Sequence, residues 1–264
     1  MDELRFDGQV AVITGAGRGL GREYALLLAS RGARVVVNDF GVGISDVDDS
    51  VAAPPVNPAD EVVAEITGLG GEAVANHDTV ATTEGGAAIV QTALDTWGTV
   101  DICVNNAGQV RMQPFAEFPD EHIATVISTQ LLGTLNVGRA AWRVMQRNGG
   151  GRIINVSSGA GYGGFTNSTV YSMAKAGVIG FTKALAAELA AKGVTVNAIA
   201  PGYVATKMVM AIKPEVLETI VASVPMKRLA KPEEIGFACA YLCDELSGFT
   251  TGATININGG LYYQ

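Results

Sequence analysis

Residues Val10 to Asp39, VAVITGAGRGLGREYALLLASRGARVVVND, constrain the fold more than any other stretch. Val10–Ile13 is a short apolar run rich in β-branched side chains, the composition of a strand buried on both faces. Gly15, Gly17, Gly19 and Gly21 follow, and then Tyr24, Leu27 and Leu28 recur at helical spacing until Gly32 ends the pattern. A second β-branched run, Arg34–Val37, closes on Asn38 and Asp39. The order is strand, glycine turn, helix, strand, with an acid at the tip of the second strand. Such a turn captures anions. Its glycines let the backbone approach a pyrophosphate, and the helix start turns free N–H groups and the positive end of its dipole toward the same place. A carboxylate where Asp39 stands can accept hydrogen bonds from both hydroxyls of an adenosine ribose.

The rest of the chain repeats the alternation. Helical patterns over Ala59–Leu69, Thr83–Trp97, Asp120–Asn148, Val170–Lys192 and Lys231–Leu246 alternate with strand-like runs at Glu72–Asn76, Asp101–Asn105, Arg152–Val156, Val194–Ile199 and Thr254–Ile257. Strands alternating with helices predict an α/β fold, a single doubly wound parallel sheet of Rossmann type with helices on both faces, spanning residues 1–264. Residues 41–60, acidic and rich in Gly and Pro, read as a surface loop, either a tolerated insertion or a flap over the adenosine end of a nucleotide. In such a sheet ligands lie beyond the carboxyl ends of the strands. The unusual residues fall at those ends: the glycine turn, Asp39, Asp78, Asn105–Gly108, Ser157-Ser158 and Pro201-Gly202.

Composition excludes several alternatives. A net charge of −8 opposes nucleic acid as a partner. No apolar run is long enough to span a bilayer, and the acidic start Met1-Asp2-Glu3 is unlike a signal peptide. Cys103, Cys239 and Cys243 are odd in number, and two of them have apolar surroundings, so buried reduced thiols of a cytoplasmic protein are expected. His77 and His122 are isolated, and Cys239 and Cys243 share one helix face without partner ligands, so no metal site is expected.

Tyr171-Ser172-Met173-Ala174-Lys175 puts a phenol and an ammonium on one helix face. A free tyrosine has a pKa of about 10, and a nearby cation favours its phenolate, which suits a general base in oxidation and a general acid in reduction. Ser158, at the end of the Arg152–Val156 strand and joined to Tyr171 through a GAGYGG connection, can donate to a carbonyl oxygen beside the tyrosine. Ser157 is the rival, and strand alternation turns it to the other face.

These motifs together resemble the short-chain dehydrogenase/reductase (SDR) family over essentially the whole chain: TGAGRGLG at 14–21, Asp39, Asp78, NNAG at 105–108, Ser158 with Tyr171-x-x-x-Lys175, Pro201-Gly202 and Thr206. The resemblance implies that Tyr171 is the acid/base, that Ser158 positions the substrate oxygen, and that Lys175 binds the nicotinamide ribose and tunes the tyrosine. It also implies cofactor contacts from Gly15, Arg18, Gly19, Leu20 and Gly21, from Asp78 and Thr79 at the adenine edge, from Asn105, Ala107 and Gly108, and from Pro201 and Gly202. Val204 and Thr206 would hold the carboxamide. The family usually has an asparagine in the helix after NNAG, where this chain has Gln130, a departure that leaves Gln130 as a tentative fourth catalytic residue.

Asp39, followed by Phe40 and not by an arginine, favours NAD(H) over NADP(H). The segment Tyr203–Val224 corresponds to the family's mobile lid, and its Met208, Val209, Met210 and Ile212 suit an adaptable apolar pocket or packing against the body or a neighbouring subunit. Met112, Phe115, Tyr162, Phe165 and Tyr203 are further candidates for the pocket wall. The expected substrate is a small apolar secondary alcohol or ketone: a steroid, a terpenoid alcohol or a 3-hydroxyacyl thioester. Val36–Gly41 is similar to the dehydrogenase domain of peroxisomal multifunctional β-oxidation enzymes, and Pro225 to Leu261 is similar to acetoacetyl-CoA reductases. An NADP-linked 3-oxoacyl-CoA or ketone reductase, a non-catalytic NAD-binding sensor, and an epimerase or dehydratase are the alternatives. The short apolar tail Leu261–Gln264 hints at burial in an oligomer, and the family's typical assembly is a homotetramer.

Overall fold

The computed structural model describes residues 4–41 and 56–263. Seven strands form one parallel sheet: β1 (Val10–Thr14), β2 (Arg34–Asn38), β3 (Glu72–Asn76), β4 (Ile102–Asn105), β5 (Gly151–Val156), β6 (Val194–Pro201) and β7 (Thr254–Ile257). Their order is β3-β2-β1-β4-β5-β6-β7. The chain winds outward in one direction to β3 and then returns past β1 to build the other half. The reversal falls between β1, which pairs Ile13 with Val37 of β2, and β4, whose Val104 pairs with the same Ile13. This is the switch point where a crevice opens at the carboxyl ends of doubly wound sheets.

Side-chain alternation along the strands feeds a core on each face. On one face Ala11, Ile13, Val35, Val37, Val104 and Ile154 pack beneath α1 (Gly19–Ser30), α2 (Pro58–Gly68) and α10 (Pro232–Cys243). On the other, Val10, Val12, Val36, Cys103 and Ile153 pack beneath α3 (Thr83–Trp97), α5 (Gly133–Asn148) and α7 (Thr169–Leu189). Local signals set the helix ends. Asn57 and Thr82 cap α2 and α3 by accepting from Ala59 N and Gly85 N. Gly98 and Gly149 end α3 and α5 in the left-handed region.

Several boundaries differ from the sequence expectation, each for a physical reason. The helical stretch expected over 120–148 divides into α4 (Asp120–Val126), a wide π turn at Ile127–Leu132, and α5. A Cβ on Gly133, where α5 begins, would stand 2.7 Å from Val80 Cγ2, so the small residue lets the helix seat closely against the segment after β3. β6 runs on through Pro201, because Pro201 needs to offer only its carbonyl side there. The expected Lys231–Leu246 helix ends at Cys243, where Asp244 turns extended and its carboxylate accepts from Leu246 N. The loop expected at 41–60 lies largely outside the described residues; its last residues, from Pro58, already belong to α2. Among the described residues no helix is long and apolar enough to cross a membrane.

Candidate active site

The glycine turn is shaped by close approaches. Gly15 and Gly19 have positive φ, and a Cβ on Gly21 would collide with the Gly15 carbonyl. Gly19 is different: a Cβ there would meet nothing nearer than Thr206 Cγ2 at 3.9 Å, so its face opens onto the crevice. α1 starts at that glycine with no side-chain cap, and its first N–H groups point at the same opening. The NNAG loop braces the turn from behind. Thr14 Oγ1 accepts from Asn106 N and Ala107 N, both at 3.0 Å, and Asn106 Nδ2 donates to the carbonyls of Thr14 and Gly15 at 2.9 and 3.0 Å.

Asp39 stands beside the turn. One carboxylate oxygen accepts from Gly17 N at 3.1 Å and the other from Gly41 N at 2.9 Å, while Asn57 Nδ2 donates to the Asp39 carbonyl at 3.1 Å. The carboxylate is therefore oriented before anything binds. The buried Asn38 donates to Asn76 Oδ1 and to the Asp78 carbonyl, and Asn76 in turn donates to the Asp78 carboxylate at 2.8 Å. An asparagine pair thus fixes Asp78 at the end of β3. An open anion cradle at Gly19 flanked by an oriented carboxylate is what a dinucleotide requires, so the residues present fit the nicotinamide cofactor that the sequence implies.

The second half of the site gathers at the ends of β5 and β6. Ser157 and Ser158 face opposite ways. Ser157 is buried and donates to the Lys175 carbonyl at 2.9 Å, fastening β5 to α7. Ser158 is half-buried and its Oγ accepts from Ala160 N at 3.2 Å, at the start of a one-turn helix, α6 (Ala160–Gly163). The glycine-rich GAGYGG connection thus folds into a helical turn. A Cβ on Gly161 would stand 2.9 Å from the Lys175 carbonyl carbon, so this glycine lets α6 lie directly on the backbone of α7.

Lys175 is 5% exposed. Its ammonium donates to the Val156 carbonyl at 2.8 Å and stands 5.7 Å from the centroid of the Tyr171 ring. Burial pulls the lysine down from the ordinary ammonium range to about 8. The Tyr171 ring is half-buried and lies on the same face of α7, one turn before Lys175.

Gln130 sits in the π turn, a distortion frequent at functional sites. It is 1% exposed, and its Nε2 donates to the Gln109 carbonyl at 2.6 Å. Its Oε1 has no hydrogen-bond partner among the described residues and lies 3.0 Å from where a Cβ on Gly108 would be. The glutamine amide therefore reaches the loop that follows NNAG. Asn105 turns inward, donating to Asn155 at 2.9 Å, and Asn155 donates to Thr182 of α7. Its side chain ties three elements together, and Ala107 and Gly108 carry the loop onward past it.

Beyond Pro201, Gly202 N donates to the Ile257 carbonyl, and Val204 is buried in a single bridge to Ala230. Thr206 caps the short helix α8 (Lys207–Met210) and faces Gly19 across the crevice. The expected lid comprises α8 and α9 (Pro214–Ser223), and neither helix contains a buried residue. The two helices therefore lie at the surface, with Met208 and Met210 exposed, while Val204 and Val224 near the two ends of the segment are buried. Phe165 and Tyr203 meet at 6.3 Å between ring centroids, and Gln113 N donates to the Asn167 carbonyl, bringing the Met112 loop beside Phe165. Met112 and Phe115 are exposed, and Tyr162 is half-buried on α6. The sequence reading missed Tyr262, which packs against Phe165 at 5.7 Å and over Gly159 and Gly163. The only sequence signal for it was the density of glycines in GAGYGG, which marks a close approach without naming the partner.

A dinucleotide cradle at the switch point, joined to a serine, a tyrosine and a buried lysine at the neighbouring strand ends, defines a nicotinamide-dependent oxidoreductase. Residues 15–262 match the sequence model of the family described as enoyl-(acyl carrier protein) reductase, and the chain belongs to the short-chain dehydrogenase/reductase family. It is 45% identical over 256 residues to nodulation protein G of Azospirillum brasilense, covering 97% of this chain and 99% of that one. It is 40% identical over 255 residues to acetoacetyl-CoA reductase of Cupriavidus necator, covering 96% and 98%. Its fold is similar to that of 7α-hydroxysteroid dehydrogenase complexed with NADH and 7-oxo glycochenodeoxycholic acid, with a TM-score of 0.88, 31% identity and 98% of each chain covered.

Proposed function

We propose that this protein is an NAD-linked oxidoreductase interconverting an apolar secondary alcohol and its ketone, with a steroid, a terpenoid alcohol or a 3-hydroxyacyl thioester as substrate. The observation that carries the reading is the buried Lys175 ammonium, held by the Val156 carbonyl beside the Tyr171 ring, with Ser158 at the end of the same β5 strand. When bound, the nicotinamide supplies the hydride acceptor or donor. Tyr171 takes the hydroxyl proton of the substrate in oxidation and returns it in reduction. The Lys175 cation, 5.7 Å from the centroid of the Tyr171 ring, favours the phenolate form that this transfer passes through. The Ser158 hydroxyl donates to the same substrate oxygen and stabilises negative charge as it develops there. Gln130 and the Gln109 carbonyl it holds set the wall of the crevice behind Gly108.

Two features support NAD. The Asp39 carboxylate is pre-oriented by Gly17 N and Gly41 N, which suits the two ribose hydroxyls. Its charge opposes a phosphate at the same place. The acetoacetyl-CoA reductase relative favours a second reading, reduction of a 3-oxoacyl thioester with NADP. Rates measured in parallel with NAD and NADP, over a panel of apolar secondary alcohols and 3-hydroxyacyl-CoAs, separate the two. Faster turnover with NAD supports the proposal, and equal or faster turnover with NADP refutes the reading of Asp39.

The proposal extends to a cytoplasmic homotetramer of one-domain subunits with no nucleic-acid or membrane partner. Leu246 and Phe249 are almost fully exposed, and Phe237 and Tyr241 of α10 are exposed as well, large apolar groups of the kind that assembly would cover. Sedimentation as a monomer at micromolar concentration would remove that part.

A further inference from the structure

The segment after β7 folds back onto the catalytic side of the sheet. Gly259 and Gly260 turn it with positive φ, and Asn258 holds the turn, accepting from Gly260 N at 3.0 Å and donating from Nδ2 to the Tyr262 carbonyl at 3.0 Å. Asn258 is itself seated against Gly202, where a Cβ would stand 2.8 Å from its Cα. Met226 N donates to the Gly259 carbonyl at 3.1 Å, tying the same turn to the end of the lid. The backbone is thus fixed on two sides, and the Tyr262 ring is delivered onto α6.

The fit there is close. A Cβ on Gly163 would collide with Tyr262 Cε1, and one on Gly159 would lie 3.0 Å from its Cδ2. Phe165, which follows α6, stacks edge-on against the ring at 5.7 Å between centroids, and Tyr203 meets Phe165 at 6.3 Å. On its opposite face α6 rests on the Lys175 backbone through Gly161. The turn that carries Ser158 is therefore clasped between α7 and a single aromatic ring. Among the described residues, apart from the bond between Gly159 N and the Pro201 carbonyl, the backbone hydrogen bonds of this turn are internal, from Gly161 N to the Ser158 carbonyl, from Tyr162 N and Gly163 N to the Gly159 carbonyl and from Gly164 N to the Ala160 carbonyl. A one-turn helix has little stability of its own, so an external clamp decides where its first residue points.

We infer that Tyr262 is a positioning residue, whose ring clamps α6 against α7 and so holds the Ser158 hydroxyl where it meets the substrate oxygen. The inference rests on the role proposed for Ser158. It explains why the loop carries glycine at positions 159 and 163, the two that face the ring.

The test uses the full chain with Tyr262→Ala and Tyr262→Phe, each in the wild-type and the Ser158→Ala backgrounds. Hydrogen exchange of residues 158–164, measured without cofactor or substrate, reads the clamp by itself. Tyr262→Ala should speed that exchange, while Tyr262→Phe should leave it as in the wild type. A displaced donor costs on the order of tenfold to a hundredfold in turnover. Tyr262→Ala should therefore lower kcat and kcat/KM together by about that factor, with KM for NAD unchanged and Tyr262→Phe restoring the rate. In the Ser158→Ala background the same change should cost less than about twofold, because the donor it positions is gone. Gly163→Ala should reproduce the loss in the wild type and add nothing to Tyr262→Ala. Unchanged exchange in Tyr262→Ala overturns the clamp, and an equal loss of turnover with and without Ser158 overturns the positioning role. A wild-type protein with no turnover on any substrate would refute the dehydrogenase reading instead, and the exchange result would still decide whether the clamp exists.

Discussion

Replacing Ser157 and Ser158 separately by alanine should give opposite phenotypes, although the two serines are neighbours. Ser157 Oγ lies 2.9 Å from the Lys175 carbonyl in a buried position, and that carbonyl keeps its place in the α7 ladder when the serine is lost. The cost of Ser157→Ala is then one ordinary buried hydrogen bond, about 1 kcal/mol. For a chain of this size that lowers Tm by about 2–4 °C. Turnover should fall only slightly, since Lys175 is also held by its own bond to the Val156 carbonyl. Ser158 is half-buried, and its hydroxyl accepts the Ala160 N–H at 3.2 Å, a long bond within one turn, so its loss should leave Tm nearly unchanged. Removing a donor to a developing oxyanion costs roughly 100-fold to 1,000-fold in kcat. Thermal melts and steady-state rates on the two purified variants provide the comparison. Abolished turnover in Ser157→Ala, with Ser158→Ala within about tenfold of wild type, would refute the assignment of roles to the two faces of β5.

Other expectations follow from particular contacts. Gln130→Asn shortens the reach to the Gln109 carbonyl and should retain activity; a loss as large as that of Tyr171→Phe would show that the crevice does not tolerate the change. Asp39→Ser removes the charge that opposes a phosphate and should raise the NADP-to-NAD ratio of kcat/KM by about 100-fold, with an unchanged ratio counting against the proposed ribose site. Lys175, pulled down to about 8 by burial, binds fewer protons in the native state than in the unfolded chain between about pH 8 and its ordinary value of 10.5. Its contribution to stability should therefore rise with pH across that window, and urea unfolding of Lys175→Met should lack the rise that the wild type shows.

The outline of the fold was legible because its signals are local. Glycine spacing, β-branched runs and helix ends act within a few residues, and they placed all seven strands within two residues of their observed limits. The π turn at Ile127–Leu132 was invisible, because its sequence keeps an ordinary helical pattern and its Gln130 meets Gly108 only once the chain is folded. The distinction between Ser157 and Ser158 was legible from strand alternation alone, and the structure shows what occupies the inward serine. Asn105 was read as a cofactor contact from the motif. Its side chain is taken up by Asn155, a partner far away in the chain that no spacing rule could supply. Asn57 and Tyr262 were missed for the same reason: each meets partners that no local spacing rule supplies, Asp39 for the one and Gly159 and Gly163 for the other.

The central claim is that Tyr171, tuned by Lys175, moves the proton at the substrate oxygen. Following NADH formation on a panel of apolar secondary alcohols and 3-hydroxyacyl-CoAs, with wild type and Tyr171→Phe side by side, tests it most directly. The account predicts NAD-dependent turnover in the wild type that vanishes in Tyr171→Phe, while NAD binding measured by calorimetry is kept. Turnover that survives in Tyr171→Phe would contradict it.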